Sequence, residues 1–199
     1  VDALVTDFDG VHTDDGAYVD EDGNEQVRVH RGDGMGVSRL VKSGLPVMIL
    51  SKARNPVVTR RAETLHVDVT QGIDNKAQVL TSWIEEQGLD AARVAYVGND
   101  INDLEAFDVV GWPIAVADAH PKVLAAARVV LDRPGGKGAV REVCDLIPVP
   151  DQATQQLPTR GLTSVLASDS HNKQPSIPQQ QPLLTNHAEG LRTNRKQVS

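Results

Sequence analysis

Cysteine is nearly missing. Cys144 is the single one in 199 residues, so neither a disulfide framework nor a thiolate metal cluster is available to this chain; it is expected as a small apolar residue on the last helix. No apolar run approaches the length of a bilayer crossing, and the opening VDALVTD is not a signal peptide. A soluble cytoplasmic protein with no membrane partner is therefore expected. Excess positive charge is also missing: the net charge is −7, and the basic residues are scattered apart from a weak cluster at Arg192, Arg195 and Lys196, which argues against nucleic acid as a partner. The chain has no initiating Met and enters its first strand almost at once, which keeps open that it is a fragment of something longer.

The aromatic residues are few, two each of Phe, Trp and Tyr, and all lie before residue 148. That asymmetry divides the chain. Residues 1–147 alternate short Val/Ile/Leu runs with amphipathic segments, as a folded domain does. Residues 148–199 are rich in Gln, Pro, Ser, Thr and Asn without periodicity, and stretches such as PSIPQQQPLLTNH bury too little apolar surface to offset their ordering entropy. A disordered tail contributing nothing to the active site is expected there.

Within the body, AYVDEDGNEQVRVH predicts a β-hairpin turning around Asp22, Gly23 and Asn24. DGMGVSRLVKSG follows with Val37, Leu40 and Val41 at helical spacing and Gly44 as C-cap. Strand-length runs (LPVMILS, VDVTQG, RVAYVGN, PIAVA, VVLD) then alternate with helical segments (56–65, NKAQVLTSWIEEQG, DLEAFDVV, HPKVLAAAR, GAVREVCDLI). Apolar strands separated by single helices specify a parallel sheet covered on both faces, because parallel neighbours need crossovers. The expected fold is α/β, a Rossmann-like three-layer sandwich with a parallel sheet, the hairpin as its insert and no large cap domain.

Ligands of such sheets bind outside the carboxyl ends of the strands. There the first strand ends in Asp7, Asp9 and Gly10, the next main strand in Ser51, and VAYVG in Asn99, Asp100 and Asp103, while Lys76 opens a helix. Carboxylates crowded at a strand end repel one another and lose hydration, so a cation is expected among them. Hard oxygen ligands of this kind suit Mg²⁺. With a metal present, one aspartate could attack phosphorus, Lys76 would offset the repulsion between anions, and Ser51 with the amides of residues 8–10 could hold phosphoryl oxygens. Each residue also has an ordinary reading in isolation. A DxD is commonly a solvated turn, Ser51 a helix cap, Lys76 a solvated helix residue, Asp100 and Asp103 helix-start acids, and Arg61 a surface charge. GGKG at 135–138 reads first as a flexible loop, and His12, His30, His66 and His120 show no ligand spacing.

DFDG followed by VHTD, Ser51 after a strand, Lys76, and GNDINDL resemble, in order and spacing, the four motifs of the haloacid dehalogenase-like phosphatases. The likeness covers the whole body, and four motifs on strand ends and a helix start are far more specific than one DxD. DGVHTD, RGDGMGVSRL, AVADAHPKV and RPGGKGAVREVCDLI look like the 3-deoxy-octulosonate 8-phosphate phosphatase subfamily, whose relatives act on nonulosonate 9-phosphates. LSKARNPVV resembles the phosphatase-like domain fused behind bacterial acylneuraminate cytidylyltransferases, so a fused cytidylyltransferase domain is one expected partner.

The resemblance implies a Mg²⁺-dependent phosphatase acting on a small sugar-acid phosphate. It implies Asp7 as the nucleophile that forms an aspartyl-phosphate and Asp9 as the acid that protonates the leaving oxygen and then activates water. An ordinary aspartate pKa near 3.9 is low for that task, and a neighbouring carboxylate can raise it. Metal would be held by the Asp7 and Asp100 carboxylates and the Asp9 carbonyl, phosphate by Gly10, Ser51 and Lys76, and Asp103 would orient the site and hold Lys76. The resemblance further implies a homotetramer with hairpins packed together, in which Arg61 reaches a neighbour's site to bind the sugar-acid carboxylate. Ser51 is followed by KAR where many relatives have Gly and then Arg or Glu, and those neighbours help choose the sugar. The rival is a non-catalytic oligomerisation module of a cytidylyltransferase; related animal domains have lost the nucleophilic aspartate, which is present here. Phosphotransfer to another acceptor, as in phosphomutases, is weaker because nothing resembles their cap.

Overall fold

In the computed structural model, residues 1–149 are described; the expected tail lies outside them apart from its first two residues. The strands are β1 (Ala3–Thr6), β2 (Ala17–Val19), β3 (Glu25–Val27), β4 (Val47–Ser51), β5 (Asp68–Gln71), β6 (Val94–Gly98), β7 (Trp112–Ala115) and β8 (Val129–Val130). The helices are α1 (Arg31–Lys42), α2 (Val57–Leu65), α3 (Lys76–Glu86), α4 (Leu104–Phe107), α5 (Pro121–Ala126) and α6 (Ala139–Leu146).

Six strands form one sheet in the order β5-β4-β1-β6-β7-β8, every adjacent pair parallel. β1, β4 and β6 are buried along their whole length, which is why their sequences are continuous apolar runs rather than alternating ones. The chain steps from β1 through β4 to the β5 edge, then returns past β1 to β6 and on to β8. Right-handed crossovers then assign α1 and α2 to one face and α3, α4 and α5 to the other. The packing agrees: α1 lies against α2 and α6, whereas α4 joins α3 to α5. The reversal of direction falls at β1, so the carboxyl ends of β1, β4 and β6 meet where the crossovers part and leave a crevice. The three-layer expectation holds.

Helix ends follow local chemistry. Gly44 takes φ 83° beyond α1 and its N–H bonds Val41 O at 3.0 Å, the left-handed stop expected of it. Asn75 caps α3 by accepting the Gln78 N–H at 2.8 Å, which fixes Lys76 as the first helical residue. The helix expected over DLEAFDVV is shorter than its sequence. A 3₁₀ turn at Ile101–Asp103 precedes a single α turn, α4, because the Asp103 carboxylate folds back onto the Asn99 and Asp100 N–H groups.

Between β1 and β4 the described chain has only a tight loop, the antiparallel hairpin β2–β3 and α1, so no cap domain is inserted there. The hairpin turns where expected, with Gly23 at φ 80° and Asp20 Oδ1 accepting the Asp22 and Asn24 N–H groups. Tyr18, 74% exposed, and Val19, 63% exposed, project from it. Among the described residues no helix is long and apolar enough to cross a membrane.

Candidate active site

The loop that leaves β1 is buried from Asp7 to Thr13 except at Asp9, which is half-buried. Phe8, Val11, His12 and Thr13 are buried, and Phe8 O receives the N–H groups of Val11, His12 and Thr13 at 3.2, 2.9 and 3.3 Å. His12 Nε2 meets Thr6 Oγ1 at 2.9 Å, and its ring stacks on Phe8 with centroids 5.7 Å apart. Burying the apolar partners of DFDG leaves both aspartates turned to the crevice. Asp7 accepts its neighbour's N–H, Phe8 N to Oδ1, at 2.7 Å. Gly10 sits at φ 71°, a left-handed conformation that favours glycine, and a Cβ there would lie 1.9 Å from Asn99 Nδ2, so a side chain would displace the Asn99 amide.

Beneath the crevice Lys76 is fully buried. Its Nζ donates to Asp7 Oδ2 at 2.7 Å and to Asp103 Oδ1 at 2.6 Å. Asp103, also fully buried, accepts from Tyr96 OH at 2.7 Å and from the Asn99 and Asp100 N–H groups at 2.8 and 3.2 Å. Two carboxylates therefore share one ammonium, leaving one negative charge unmatched. Burial and the Asp103 charge push the Asp7 carboxyl up to about 7, against the pull of Lys76. Burial works against charge on Lys76, but Asp7 and Asp103 outweigh it and raise its pKa. Asp9 is raised as well, by burial first and then by the Asp15 and Glu25 charges, the direction a proton donor near neutrality requires.

Above this floor lies a cavity of about 90 Å³ lined by Asp7, Asp9, Asp15, Ser51, Lys52, Ala53, Asn99, Asp100 and Asn102. Asp7, Asp9, Ser51 and Asp100 thus meet in one cavity, with Lys76 and Asp103 behind Asp7. Ser51 Oγ accepts the Ala53 N–H at 3.1 Å, which leaves its proton free to donate. The Gly10 N–H differs from expectation. It is engaged by Thr13 Oγ1 at 3.1 Å, because a buried hydroxyl competes for it, so its role is close approach and not donation to the cavity. Of the amides at residues 8–10, only that of Asp9 has no partner among the described residues.

Arg61 is not part of this cavity. It stands on α2, donates through Nη2 to His30 O at 3.2 Å and borders a separate groove between α1 and α2. The 135–138 segment also differs from the flexible loop its composition suggests. Gly135 and Gly136 are buried, and a Cβ on Gly135 would fall 1.9 Å from Gly10 O; the Gly136 N–H bonds Val11 O at 3.1 Å. This segment backs the β1 loop. Cys144 is buried on α6 as expected, and burial pushes its thiol up to about 12.

Sequence reasoning placed Asn99 at this strand end and Lys52 among the neighbours of Ser51 that help choose the sugar, but missed Asp15 and Asn102 as lining residues. Asn102 adjoins Asp103, which it did select, and adjacency was the available signal; Asp15 carried none. A cavity of about 690 Å³, lined by Gly23, Asn24, Glu25, Ala53, Arg54, Asn55 and Pro56, meets the smaller one at Ala53.

The donor set suits a divalent cation. Hard oxygens converge, one buried negative charge is unmatched, and Asn99 and Asn102 each keep a shielded side-chain oxygen without a hydrogen bond. Among the described residues no three His, Cys, Asp or Glu side chains form a group that could hold a metal ion; a cation that takes few protein carboxylates and keeps several waters needs fewer.

Residues 49–142 match a family model described as haloacid dehalogenase-like hydrolase. The chain is 37% identical over 145 residues, 72% of its length and 77% of the relative's, to the 3-deoxy-D-manno-octulosonate 8-phosphate phosphatase KdsC of Salmonella typhi. Among solved structures, it resembles one described as a HAD family hydrolase from Streptomyces avermitilis at TM-score 0.73 and 55% identity, covering 74% of this chain and 90% of that one. It also resembles the 3-deoxy-D-manno-octulosonate 8-phosphate phosphatase of Moraxella catarrhalis, solved with magnesium, phosphate and KDO, at TM-score 0.71 and 31% identity, covering 73% and 84%.

Proposed function

Since the chain belongs to the haloacid dehalogenase-like hydrolases, as one of their phosphatases, we propose that it hydrolyses a sugar-acid phosphate of the octulosonate 8-phosphate or nonulosonate 9-phosphate type. The observation that carries this reading is the buried Asp7–Lys76–Asp103 arrangement beneath a cavity where Asp9, Ser51 and Asp100 converge. The divalent cation would be Mg²⁺, which the Asp7 and Asp100 carboxylates and the Asp9 carbonyl would hold; bound there, it would neutralise charge on the phosphoryl oxygens and on Asp7.

Asp7 attacks phosphorus; the new Asp7 O–P bond forms as the P–O bond to the sugar breaks, and Asp9 gives its proton to the departing oxygen. Asp9 then takes a proton from water, whose oxygen attacks phosphorus and releases phosphate from Asp7. Lys76 neutralises Asp7 and holds its orientation, Asp103 fixes Lys76, and the Ser51 hydroxyl donates to a phosphoryl oxygen. The 690 Å³ cavity beside Ala53 has room for the sugar. Residues 1–147 form the catalytic body.

A homotetramer completes the site. The exposed Tyr18 and Val19 supply a hairpin surface for packing, and Arg61, outside its own cavity, supplies the carboxylate ligand in trans. The phosphate-release screen uses purified protein with Mg²⁺ against octulosonate 8-phosphate, two nonulosonate 9-phosphates and simple hexose phosphates. Sugar-acid phosphates should be cleaved with the highest kcat/KM. Faster cleavage of hexose phosphates would refute the substrate class, and no release from any of them would favour the non-catalytic module.

A further inference from the structure

The smaller cavity is lined by four carboxylates, Asp7, Asp9, Asp15 and Asp100, and by one cation, Lys52. Lys76 lies behind Asp7 and is already shared with Asp103. A phosphate ester brings about two further negative charges at neutral pH. An anion entering here needs counter-charge beyond that of a divalent ion, and Lys52 is the lining side chain able to give it.

Volume decides which part of the ligand Lys52 meets. The cavity holds about 90 Å³, below the roughly 300 Å³ of pockets that enclose whole small molecules. It fits a phosphoryl group and leaves the sugar to the 690 Å³ cavity. Ala53 lines both cavities, Arg54 only the larger and Lys52 only the smaller. Lys52 therefore addresses phosphoryl charge and not the sugar.

Its backbone is fixed while its side chain is not. Ser51 is buried at the end of β4, its Oγ accepts the Ala53 N–H at 3.1 Å, and Ala53 O accepts the Gly72 N–H at 3.0 Å. Lys52 is the apex of that turn. Its side chain is 39% exposed, and its ion pair with Glu105 Oε1 is 3.9 Å long, outside hydrogen-bond reach. Glu105 Oε1 is meanwhile engaged by the Lys76 N–H at 2.9 Å. A loose, solvated pair contributes little and is readily exchanged for a closer anion.

We propose that Lys52 binds the phosphoryl group in this site: its ammonium turns from Glu105 to donate to a non-bridging phosphoryl oxygen, so affinity for substrate and for product phosphate depends on it whatever sugar is attached. The inference rests on the phosphatase reading of the same cavity. Ser51 supplies a neutral donor and Lys52, next in the same turn, adds the charge, so that consecutive residues grip the phosphoryl group beside Asp7. Ester and free phosphate both carry non-bridging oxygens, so Lys52 contributes uniform binding, felt before and after transfer alike.

The test titrates inorganic phosphate calorimetrically into the full-length protein with Mg²⁺, as the parent, Lys52→Met and Lys52→Arg, and measures kcat and KM for octulosonate 8-phosphate and glucose 6-phosphate. Lys52→Met should weaken inorganic phosphate by about tenfold, and Lys52→Arg should keep most of the affinity. KM for both esters should rise by a similar factor in Lys52→Met, with kcat within about twofold of the parent. Mg²⁺ titrated alone should bind Lys52→Met no more weakly than the parent, since a positive neighbour is removed. A loss confined to octulosonate 8-phosphate, with inorganic phosphate bound as before, would make Lys52 a sugar ligand and overturn the proposal. Unchanged affinity for all three ligands would overturn it too, as would weaker Mg²⁺ binding, which would make the effect indirect. The two readings fail separately: phosphate affinity lost in Lys52→Met with no ester cleaved by the parent refutes the phosphatase and leaves the oxyanion site standing, whereas cleavage by the parent with phosphate affinity unmoved refutes only the role of Lys52.

Discussion

Asp103 and Asp100 stand three residues apart beyond the same strand, in opposite surroundings. Asp103 lies on the floor of the site, fully buried, with Lys76, Tyr96 and two backbone N–H groups all donating to it. Asp100 lies on the rim, exposed, its side chain accepting the Ile101 N–H at 2.7 Å and the Asp103 N–H in a capping box while it lines the cavity. The floor is satisfied by its own chain, whereas the rim leaves acceptors for something else to satisfy. Floor residues should therefore carry stability together with geometry, and rim residues ligand binding with little effect on stability.

The largest expected effect tests where floor and rim meet. Asp7→Asn keeps shape and one hydrogen-bond acceptor for Lys76 but removes the nucleophile, so phosphate release should fall by about 10³-fold or more while thermal unfolding still shows one cooperative transition. Lys76→Met should lose turnover too and, unlike a rim change, should lower the unfolding free energy in urea by about 3–5 kcal/mol, because two buried carboxylates lose their counter-charge. Asp100→Asn sharpens the contrast: its urea stability should stay within about 0.5 kcal/mol of the parent, while the Mg²⁺ concentration needed for half-maximal activity rises.

A pH titration probes the buried support under the loop. Burial, with the Arg61 charge, holds His12 down to about 3 from an ordinary 6.5, so the folded protein stays neutral there while the unfolded chain takes up a proton. The His12 contribution is therefore fully present above pH 6.5 and is lost as pH falls from 6.5 toward 3, at up to about 1.4 kcal/mol per pH unit. Urea unfolding of the parent and of His12→Gln between pH 7 and 5 should show that extra slope in the parent alone. The smallest effect expected on the floor is that of Tyr96→Phe. Losing one hydroxyl donor to Asp103 should cost about 1–2 kcal/mol, measured the same way.

The floor was more legible in the sequence than the rim, for a physical reason. Asp7 follows an apolar strand and Lys76 opens a helix, so strand ends and helix starts place them before any contact is known; the same rule reached Ser51 and, on the rim, Asp100, but no other rim acid. Asp103 was legible as the partner of Lys76, but not as the group that bends its own segment and truncates the helix expected over 103–110. The Gly10 amide was misread because Thr13, three residues on, competes for it. Asp15 was invisible because its place depends on the Thr13 hydroxyl, which accepts its N–H at 3.2 Å, and on a left-handed φ of 61°, neither of which has a periodicity. The 135–138 segment was misread because glycine-rich composition cannot distinguish a mobile loop from one whose missing side chains let it pack on Gly10.

The account stands or falls on Asp7 carrying the phosphoryl group. Acid-quenching the enzyme during turnover with Mg²⁺ and octulosonate 8-phosphate, reducing any acyl phosphate with borohydride and sequencing the peptides by mass spectrometry reads this directly. Conversion of Asp7 to homoserine, with Asp9 and Asp100 unmodified, is the predicted result. Substrate-dependent conversion at Asp9 or Asp100 with Asp7 untouched would contradict it.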